Sequence, residues 1–242
     1  MTITKNLPTT NFQPTHRQHI PQMDSTTVLS TSSPLRILQW NILGLKANLA
    51  TLLTANAEDP FDILVLQETL LSETSTCNIK NYNAFHSYYM PGQNRGISIF
   101  TKNSLHTQLI TPAPECGARI ECLGIQISLN ESNLFLFNIY RPPHPTYELE
   151  MDELFGLAAH EPTIIIGDFN AQHPNWNDPT TSSAYKTNDA GLHIKLLLDS
   201  FPDVSLLNSK QAMHTKGGVL DLIILSNSLV STADWSDLCQ TT

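Results

Sequence analysis

Apolar and polar residues alternate along the chain in blocks that predict interleaved strands and helices from Leu35 onward. Short runs rich in β-branched and aromatic residues predict strands, and runs with apolar residues at helical spacing predict helices. The predicted strands are LRILQW (35–40), DILVLQE (62–68), AFHSYY (84–89), GISIFTK (96–102), RIECLGIQISL (119–129), NLFLFNIY (133–140), TIIIGDF (163–169) and GVLDLIILS (218–226). The predicted helices cover 45–56, 147–160 and 188–201, and Asn188 or Asp189 caps the third. The pattern predicts a single α/β domain in which two mixed β-sheets pack together with helices outside them.

Residues 1–33 differ from the rest of the chain because they are rich in Thr, Ser, Pro, Gln and Asn and poor in large apolar residues. Such a segment buries too little apolar surface to offset the entropy of ordering its backbone. We therefore predict a disordered tail over 1–33 and a folded domain over 34–242. The sequence also lacks the apolar core of a secretory signal and any apolar run near the roughly 20 residues that span a bilayer. These features predict an intracellular protein, nuclear or cytoplasmic, without membrane association.

The composition is acidic, with 22 Asp and Glu against 13 Lys and Arg and a formal net charge of -9. Binding of nucleic acid through bulk electrostatics relies on Lys and Arg, so this balance argues against a protein of that kind. An enzyme that meets phosphate groups through a bound metal ion is compatible with it, because such a site needs acidic ligands.

Polar side chains gather where the predicted apolar strands end. They are Asn41, Glu68, Tyr140, Arg141, Asp168 and Asn170. Each alone has an ordinary explanation, because turns favour Asp and Asn and strand ends are usually solvated. If these strand ends share one edge of the sheets, they bring carboxylates, amides, a phenol and a guanidinium into one cleft. Active sites of α/β folds are commonly built from such loops.

Six segments in this order resemble the successive motifs of the endonuclease/exonuclease/phosphatase family. They are LRILQWNILGLKA, DILVLQETLL, NRGISIFTK, NIYRPPHP, GDFNAQHPNW and VLDLIILS, which span about residues 35–235. The resemblance implies a DNase I-like four-layer sandwich, with two packed mixed β-sheets flanked by helices. NIYRPPHP together with GDFNAQHPNW is more similar to the endonuclease domains of arthropod non-LTR retrotransposons, which implies DNA as the substrate.

The resemblance also implies how the polar residues act on a phosphodiester. A divalent metal ion, Mg²⁺ or Mn²⁺, is the expected cofactor, with Glu68 as its principal ligand and Asn41 beside it. Mg²⁺ prefers oxygen ligands, and it commonly takes one or two carboxylates while keeping bound water. Asp168 is expected to orient or deprotonate the attacking water.

The remaining residues of the resemblance are expected to hold the phosphate or to support catalysis. Asn170, Tyr140 and Arg141 are expected to contact phosphate oxygens, and Arg141 brings a fixed positive charge. His173 is expected to act as a scaffold or as a phosphate contact. Asp221 matches the aspartate that orients the catalytic histidine of the family.

The C-terminal part of the sequence departs from the family pattern. The family carries a Ser-Asp-His motif followed by a short apolar strand, and its histidine stabilises the transition state. Here STADWSDLCQTT has Leu after Ser-Asp, no histidine occurs after His214, and Leu43 stands where apurinic repair enzymes carry an acidic residue. Loss of one preorganised donor typically costs roughly 10²–10³ in rate, so we expect a weakened or inactive domain that lacks its last strand. His193 and His214 are the alternative donors, although neither lies where the motif has its histidine.

Three other functions stay open at this point. An inositol-lipid or sphingomyelin phosphodiesterase shares the fold and the core residues but has different loops. A non-catalytic DNA-binding remnant keeps the cleft without turnover. A glycosidase with Glu68 and Asp168 as its carboxylate pair fits the residue types, but it gives no reason for Asn41, Asn170 and Arg141.

Overall fold

The structure is a computed structural model, and it describes residues 6–10, 34–75, 77–92, 95–129, 132–176, 187–207 and 220–237. Within these ranges the strands are β1 (Asn6–Thr10), β2 (Ile37–Asn41), β3 (Ile63–Gln67), β4 (Tyr82–Ser87), β5 (Ile97–Lys102), β6 (His106–Leu109), β7 (Glu121–Ser128), β8 (Asn133–Tyr140), β9 (Thr163–Asp168), β10 (Val204–Leu206), β11 (Asp221–Ser226) and β12 (Ala233–Asp237). The helices are α1 (Leu45–Glu58), α2 (Asp152–His160), α3 (Asp189–Ser200) and α4 (Asn227–Val230). In the part of the chain so described, no helix combines the length and apolar character needed to cross a membrane.

Two six-stranded sheets form the centre of the fold. The first has the strand order β12-β1-β2-β3-β5-β4, and the second has the order β10-β11-β9-β8-β7-β6. β2 pairs with β3 and β8 pairs with β9 in parallel, whereas the neighbouring pairs, such as β3 with β5 and β9 with β11, are antiparallel. Both sheets are therefore mixed, and this prediction from the sequence is confirmed.

The sheets pack face to face with helices outside them. Alternate residues of the strands, among them Ile37, Val65 and Ile166, fill the space between the sheets. The outer face of the first sheet is covered by α1, whose Leu45 and Leu52 are buried. Helices α2 and α3 cover the outer face of the second sheet. The resulting order of helix, sheet, sheet and helices is the four-layer sandwich that the resemblance implies.

The boundaries of α2 differ from the prediction. The helix begins at Asp152, although its apolar spacing predicts a start at residue 147. The preceding residues form a loop because other segments bind their backbone: Arg141 Nε donates to Tyr147 O (3.0 Å) and Glu150 N donates to Cys116 O (2.9 Å). The short elements β6, β10, β12 and α4 were not predicted, because three to five residues carry too little periodicity to be recognised.

Part of the predicted N-terminal tail forms a strand. In the first sheet β1 lies between β12 and β2, with Asn6 opposite Gln39. Hydrogen bonds of a sheet join backbone groups and do not require apolar side chains, so composition alone did not reveal this strand. The structure thus differs from a disordered tail at residues 6–10, and the rest of 1–33 lies outside the described residues.

Candidate active site

Strand periodicity concentrates polar side chains at one end of the space between the sheets. Because side chains alternate between faces, β2, β8 and β9 present apolar residues to that space first and polar residues at their carboxyl ends. The polar residues on the inward faces are Gln39, Asn41, Gln67, Asn138, Tyr140, Asp168 and Asp221. The register aligns them, with Asn41 opposite Gln67 and Asp168 opposite both Tyr140 and Asp221. The polar strand ends recognised in the sequence therefore do share one edge.

Glu68 joins this polar group through a turn in its backbone. It follows the last residue of β3, and strict alternation would direct its side chain toward the outer face. Its φ of 50° lies in the left-handed region, which is uncommon for residues other than glycine, and its carboxylate meets the inward-facing Asn41. Leu43, Leu70 and Asn170 have φ values of 49°, 53° and 45°. Backbone strain thus clusters around this edge, as it commonly does at functional sites.

The Asn41 amide joins the two carboxylates of the site. Its Nδ2 donates to Glu68 Oε1 at 3.1 Å and to Asp168 Oδ2 at 2.9 Å. Tyr140 Oη donates to the same Glu68 oxygen at 2.9 Å. Burial, with the charge of Glu68 nearby, raises the pKa of Tyr140, so the hydroxyl keeps its proton and stays a donor. These four side chains form one hydrogen-bonded group.

Asp168 is a buried carboxylate that titrates unusually close to neutral pH. Burial is the main cause and the charge of Glu68 adds to it, so that the pKa of Asp168 is raised to about 6. Hydrogen bonds from Asn41 Nδ2 and from Asn170 N act in the opposite direction, because they favour the charged form. A carboxylate with a pKa near the working pH is suited to take a proton from water.

A row of buried, hydrogen-bonded amide side chains runs between the sheets beneath this group. Gln39 Nε2 donates to Gln67 Oε1 (3.0 Å) and to Asp221 Oδ1 (3.1 Å), and Gln67 Nε2 donates to Asn138 Oδ1 (2.7 Å). Asn138 Nδ2 donates to two backbone oxygens of the first sheet, at 3.0 and 3.1 Å. Sequence analysis did not predict this row of amides. The signal in the sequence was an amide within an otherwise apolar strand, because an amide is costly to bury unless it is hydrogen-bonded.

Two predicted phosphate contacts have polar groups engaged elsewhere. Asn170 Nδ2 donates to Arg141 O at 2.8 Å. Arg141 is 4% exposed, and its Nε and Nη2 donate to the carbonyl oxygens of Tyr147 and His144, each at 3.0 Å. Burial lowers the pKa of this guanidinium. The contacts give Arg141 a role in holding a loop, and its contact with phosphate stays a prediction.

The histidines predicted as site residues or substitutes lie in the loop after β9 and in the helical layer. The ring of His173 packs 5.1 Å from that of Trp176, and burial lowers the pKa of His173. His193 Nε2 on α3 is 4.0 Å from Asp152 Oδ2 at the start of α2. His214 lies outside the described residues. The substitution of His193 or His214 for the histidine that the resemblance pairs with Asp221 therefore stays a prediction.

Two charged residues that sequence reasoning missed complete this edge. Arg95 Nη1 lies 3.6 Å from Glu68 Oε2. Glu121, at the start of β7, is buried and accepts from Arg95 N (2.7 Å) and Gly96 N (2.9 Å). Burial is the main reason that the pKa of Glu121 is raised to about 7. Both residues lie in segments, NRGISIFTK and RIECLGIQISL, whose apolar pattern indicates only strands.

An open groove of about 730 Å³ adjoins the site through Glu121. Its walls are Ser87, Met90, residues 113–122 and Glu150. Three glutamates and one arginine line it, so its charge does not favour a phosphate. The groove is therefore a less suitable phosphate site than the neighbouring group of Glu68, Asn41, Tyr140 and Asp168.

The donor atoms of the site fit a hard divalent cation. No three His, Cys, Asp or Glu side chains of the described ranges form a metal-binding cluster, so a cage of protein ligands alone is not found there. Mg²⁺ commonly binds one or two carboxylates and keeps several waters. Glu68 offers a carboxylate, and Asn41 Oδ1 is buried without a hydrogen-bond partner among the described residues. A buried carbonyl oxygen without a hydrogen bond is unfavourable, and coordination of a cation would offset that cost. Both Glu68 and Asn41 therefore suit Mg²⁺ or Mn²⁺.

Two solved structures are similar over most of the chain. The endonuclease domain of TRAS1, a telomere-specific non-LTR retrotransposon, matches with a TM-score of 0.61 and 15% identity, covering 82% of this chain and 88% of that one. The AP endonuclease LMAP from Leishmania major also matches with a TM-score of 0.61 and 15% identity, covering 81% of this chain and 80% of that one. At this identity the likeness establishes the fold.

Sequence comparison identifies the family. The RNA-directed DNA polymerase from mobile element jockey of Drosophila melanogaster is 24% identical over 150 residues, which are 62% of this chain. The match spans only 16% of that relative's length. The family model described as the Endonuclease/Exonuclease/phosphatase family matches residues 38–239, most of the chain. The chain therefore belongs to the endonuclease/exonuclease/phosphatase family.

Proposed function

We propose that this domain is a metal-dependent endonuclease that hydrolyses phosphodiester bonds of DNA. The observation that carries the proposal is the Asn41 bridge, in which one amide nitrogen donates to both Glu68 and Asp168. A carboxylate suited to activate water and a carboxylate suited to hold a cation are thereby fixed side by side. Phosphodiester hydrolysis needs both functions, because the water must lose a proton while the charge on the phosphate is balanced.

In this proposal Asp168 accepts the proton of the attacking water. Its pKa of about 6 leaves it mainly ionised at neutral pH and still basic enough for proton transfer. Hydrogen bonds from Asn41 Nδ2 and Asn170 N fix the orientation of the carboxylate. Asp221 lies opposite Asp168 and is held by Gln39, so it supports the same edge.

Tyr140 and Asn170 are the proposed donors to phosphate oxygens. Tyr140 keeps its proton because its pKa is raised, and its single hydroxyl hydrogen would turn from Glu68 Oε1 to a phosphate oxygen when substrate binds. The Asn170 amide has two hydrogens, and one of them is directed at Arg141 O. The second is the proposed phosphate contact. Arg141 and His173 act through the loops they stabilise.

Glu68 and Asn41 are the proposed metal ligands. Bound there, Mg²⁺ or Mn²⁺ supplies Lewis-acid stabilisation of charge on the phosphate. Hydrogen bonds from Tyr140 Oη and Asn41 Nδ2 hold Glu68 Oε1, which leaves Oε2 directed toward Arg95. The carboxylate is therefore oriented before a cation arrives.

The relatives favour DNA as the substrate. One is an RNA-directed DNA polymerase from a mobile element, and a structural neighbour is the endonuclease domain of a retrotransposon. The acidic net charge of -9 disfavours tight DNA binding by electrostatics alone. Hydrolysis of inositol lipids or sphingomyelin, and DNA binding without turnover, are the competing functions.

Incubation of supercoiled plasmid with this chain and Mg²⁺ is expected to yield relaxed circles, and chelation of the metal should stop the reaction. Asp168→Asn should remove the activity, because an amide cannot accept the proton of water. Asp203→Asn, an exposed carboxylate beyond α3, is the matched control and should nick as the unaltered chain does. Headgroup release from phosphoinositide or sphingomyelin vesicles without nicking would favour the lipid enzyme. Duplex binding without cleavage would favour the non-catalytic function.

The 242 residues contain no Ser-Asp-His sequence, and we propose that these residues alone nick DNA slowly. Appending a Ser-Asp-His segment with a short apolar strand is expected to raise the nicking rate by about 10²-fold, the usual worth of one preorganised donor. The matched control carries Ser-Asp-Ala in the same segment, so that only the imidazole differs. Equal rates for the two extended chains would contradict the proposal that a histidine is what this segment supplies.

A further inference from the structure

We propose that Arg95 is a substrate-binding residue whose guanidinium pairs with Glu68 in the free protein and transfers to a phosphate of bound DNA. The inference rests on the proposed phosphodiesterase function and assigns a residue that neither the sequence motifs nor the Asn41 bridge identify.

The contact between Arg95 and Glu68 is loose. Arg95 Nη1 and Glu68 Oε2 are 3.6 Å apart, longer than a hydrogen bond, and the arginine side chain is 55% exposed against 13% for the glutamate. The guanidinium therefore lies at the mouth of the site, above a carboxylate that is held from within. Exposed ion pairs contribute little to stability, so the guanidinium can exchange one oxygen anion for another at small cost.

The backbone that carries Arg95 is, by contrast, firmly held. Arg95 N and Gly96 N donate to the two oxygens of buried Glu121. Arg95 O accepts from Leu70 N at 3.0 Å, and Gly96 O accepts from Thr69 N at 2.9 Å, which ties the turn to the residues directly after Glu68. The backbone of Arg95 is thus fixed beside the Glu68 carboxylate, and only its side chain has to move.

The charge of the site calls for a cation at this position. Glu68, Asp168 and Asp221 crowd one edge, and a phosphodiester adds another negative charge. Arg141, the cation expected from the sequence, is buried and bonded to loop carbonyl oxygens. Arg95 is exposed, and its planar donors match the geometry of phosphate oxygens.

Arg95 and a metal ion would both bind the Glu68 carboxylate. This shared partner distinguishes a substrate-binding Arg95 from one with a structural role only. Removal of the guanidinium should weaken DNA binding and leave cation affinity at Glu68 equal or higher, because a competitor has been removed. An arginine that only held Glu68 in place would produce losses in both affinities.

The experiment compares the full chain with Arg95→Ala, Arg95→Lys and Lys80→Ala. Duplex affinity is measured by fluorescence anisotropy with Ca²⁺, and Mn²⁺ affinity without DNA is measured by calorimetry. Arg95→Ala is expected to weaken duplex binding by about 10-fold, the lower end for a charge-assisted hydrogen bond, without weakening Mn²⁺ binding. Arg95→Lys should recover part of the duplex affinity. Lys80 precedes β4 at the end opposite the site and is exposed, so Lys80→Ala controls for loss of one positive charge.

Unchanged duplex affinity in Arg95→Ala would overturn the proposal, as would a parallel loss of Mn²⁺ affinity. Absence of any duplex binding by the unaltered chain would overturn it as well. Failure of the endonuclease function has a different result: the unaltered chain binds duplex through Arg95 but does not nick plasmid in Mg²⁺. That outcome supports Arg95 as a phosphate contact and removes the endonuclease proposal.

Discussion

Glu68→Gln is expected to lower the rate of plasmid nicking by about 10³-fold or more, because it removes the charge of a preorganised site. The substitution preserves shape. The new amide oxygen can still accept from Asn41 Nδ2 and Tyr140 Oη, which now donate to Glu68 Oε1 at 3.1 and 2.9 Å. What is lost is the negative charge that faces outward, so Mn²⁺ binding should weaken together with the rate. The rate is measured as initial nicking in saturating Mg²⁺, cation affinity by calorimetry with Mn²⁺, and stability by thermal unfolding.

Glu73→Gln makes the same change of charge at an exposed position in the loop after β3. Its nicking rate should stay within about twofold of the unaltered chain, as exposed substitutions change free energies by about 0.5 kcal/mol or less. Undiminished Mn²⁺ affinity in Glu68→Gln would contradict the assignment of Glu68 as principal metal ligand. A large drop in its unfolding temperature would mean that the lost rate reflects folding rather than charge.

The central part of the site followed from sequence because strand alternation is a local property. Tyr140 lies on the same face of β8 as Leu136, four positions earlier, and Asp168 lies on the same face of β9 as Ile164, also four positions earlier. The pattern therefore predicts that both point into the space between the sheets. Asn41 has the same relation to Ile37. The hydrogen bond from Asn41 to Asp168 is a consequence of two parallel strand pairs that end at one edge.

The rest of the site depends on features that periodicity does not encode. Glu68 reaches the group through a left-handed φ, which reverses the face that alternation assigns to it. The contacts of Glu121 with Arg95 join β7 to the loop before β5, 26 positions away in the chain, and no local pattern marks such a pair. Arg141 was expected in the cleft because it follows Tyr140, yet it is buried and bonded to carbonyl groups of the loop that follows it, three and six residues further along the chain. In each case a contact that the strand pattern does not encode decides where the charged group lies.

Gly167→Ala is expected to destabilise the domain by about 3–5 kcal/mol, the sum of backbone strain and overpacking in a rigid place. Gly167 precedes Asp168 in β9 with a φ of 153°, and a Cβ there would lie 1.9 Å from Ile139 O and 2.8 Å from Ile139 C of β8. Both groups are backbone in a parallel strand pair, so neither can turn away as a side chain would. The strands must separate, and Asp168 must move away from Asn41. We expect a fall of roughly 10 °C in unfolding temperature, since about 2–4 °C per kcal/mol is usual at this size.

Gly156→Ala is the matched control, because a Cβ at Gly156 of α2 meets nothing within 4 Å. That change should stabilise the helix by about 0.5–1 kcal/mol, the usual gain of alanine over glycine in a helix interior. Both variants are compared by calorimetric unfolding and by plasmid nicking. Gly167→Ala should lose stability and activity together, and Gly156→Ala should lose neither. If Gly167→Ala unfolded at the temperature of the unaltered chain, β8 and β9 would not approach as closely as described. The alignment of Tyr140 with Asp168 would then fail, and with it the geometry on which water activation depends.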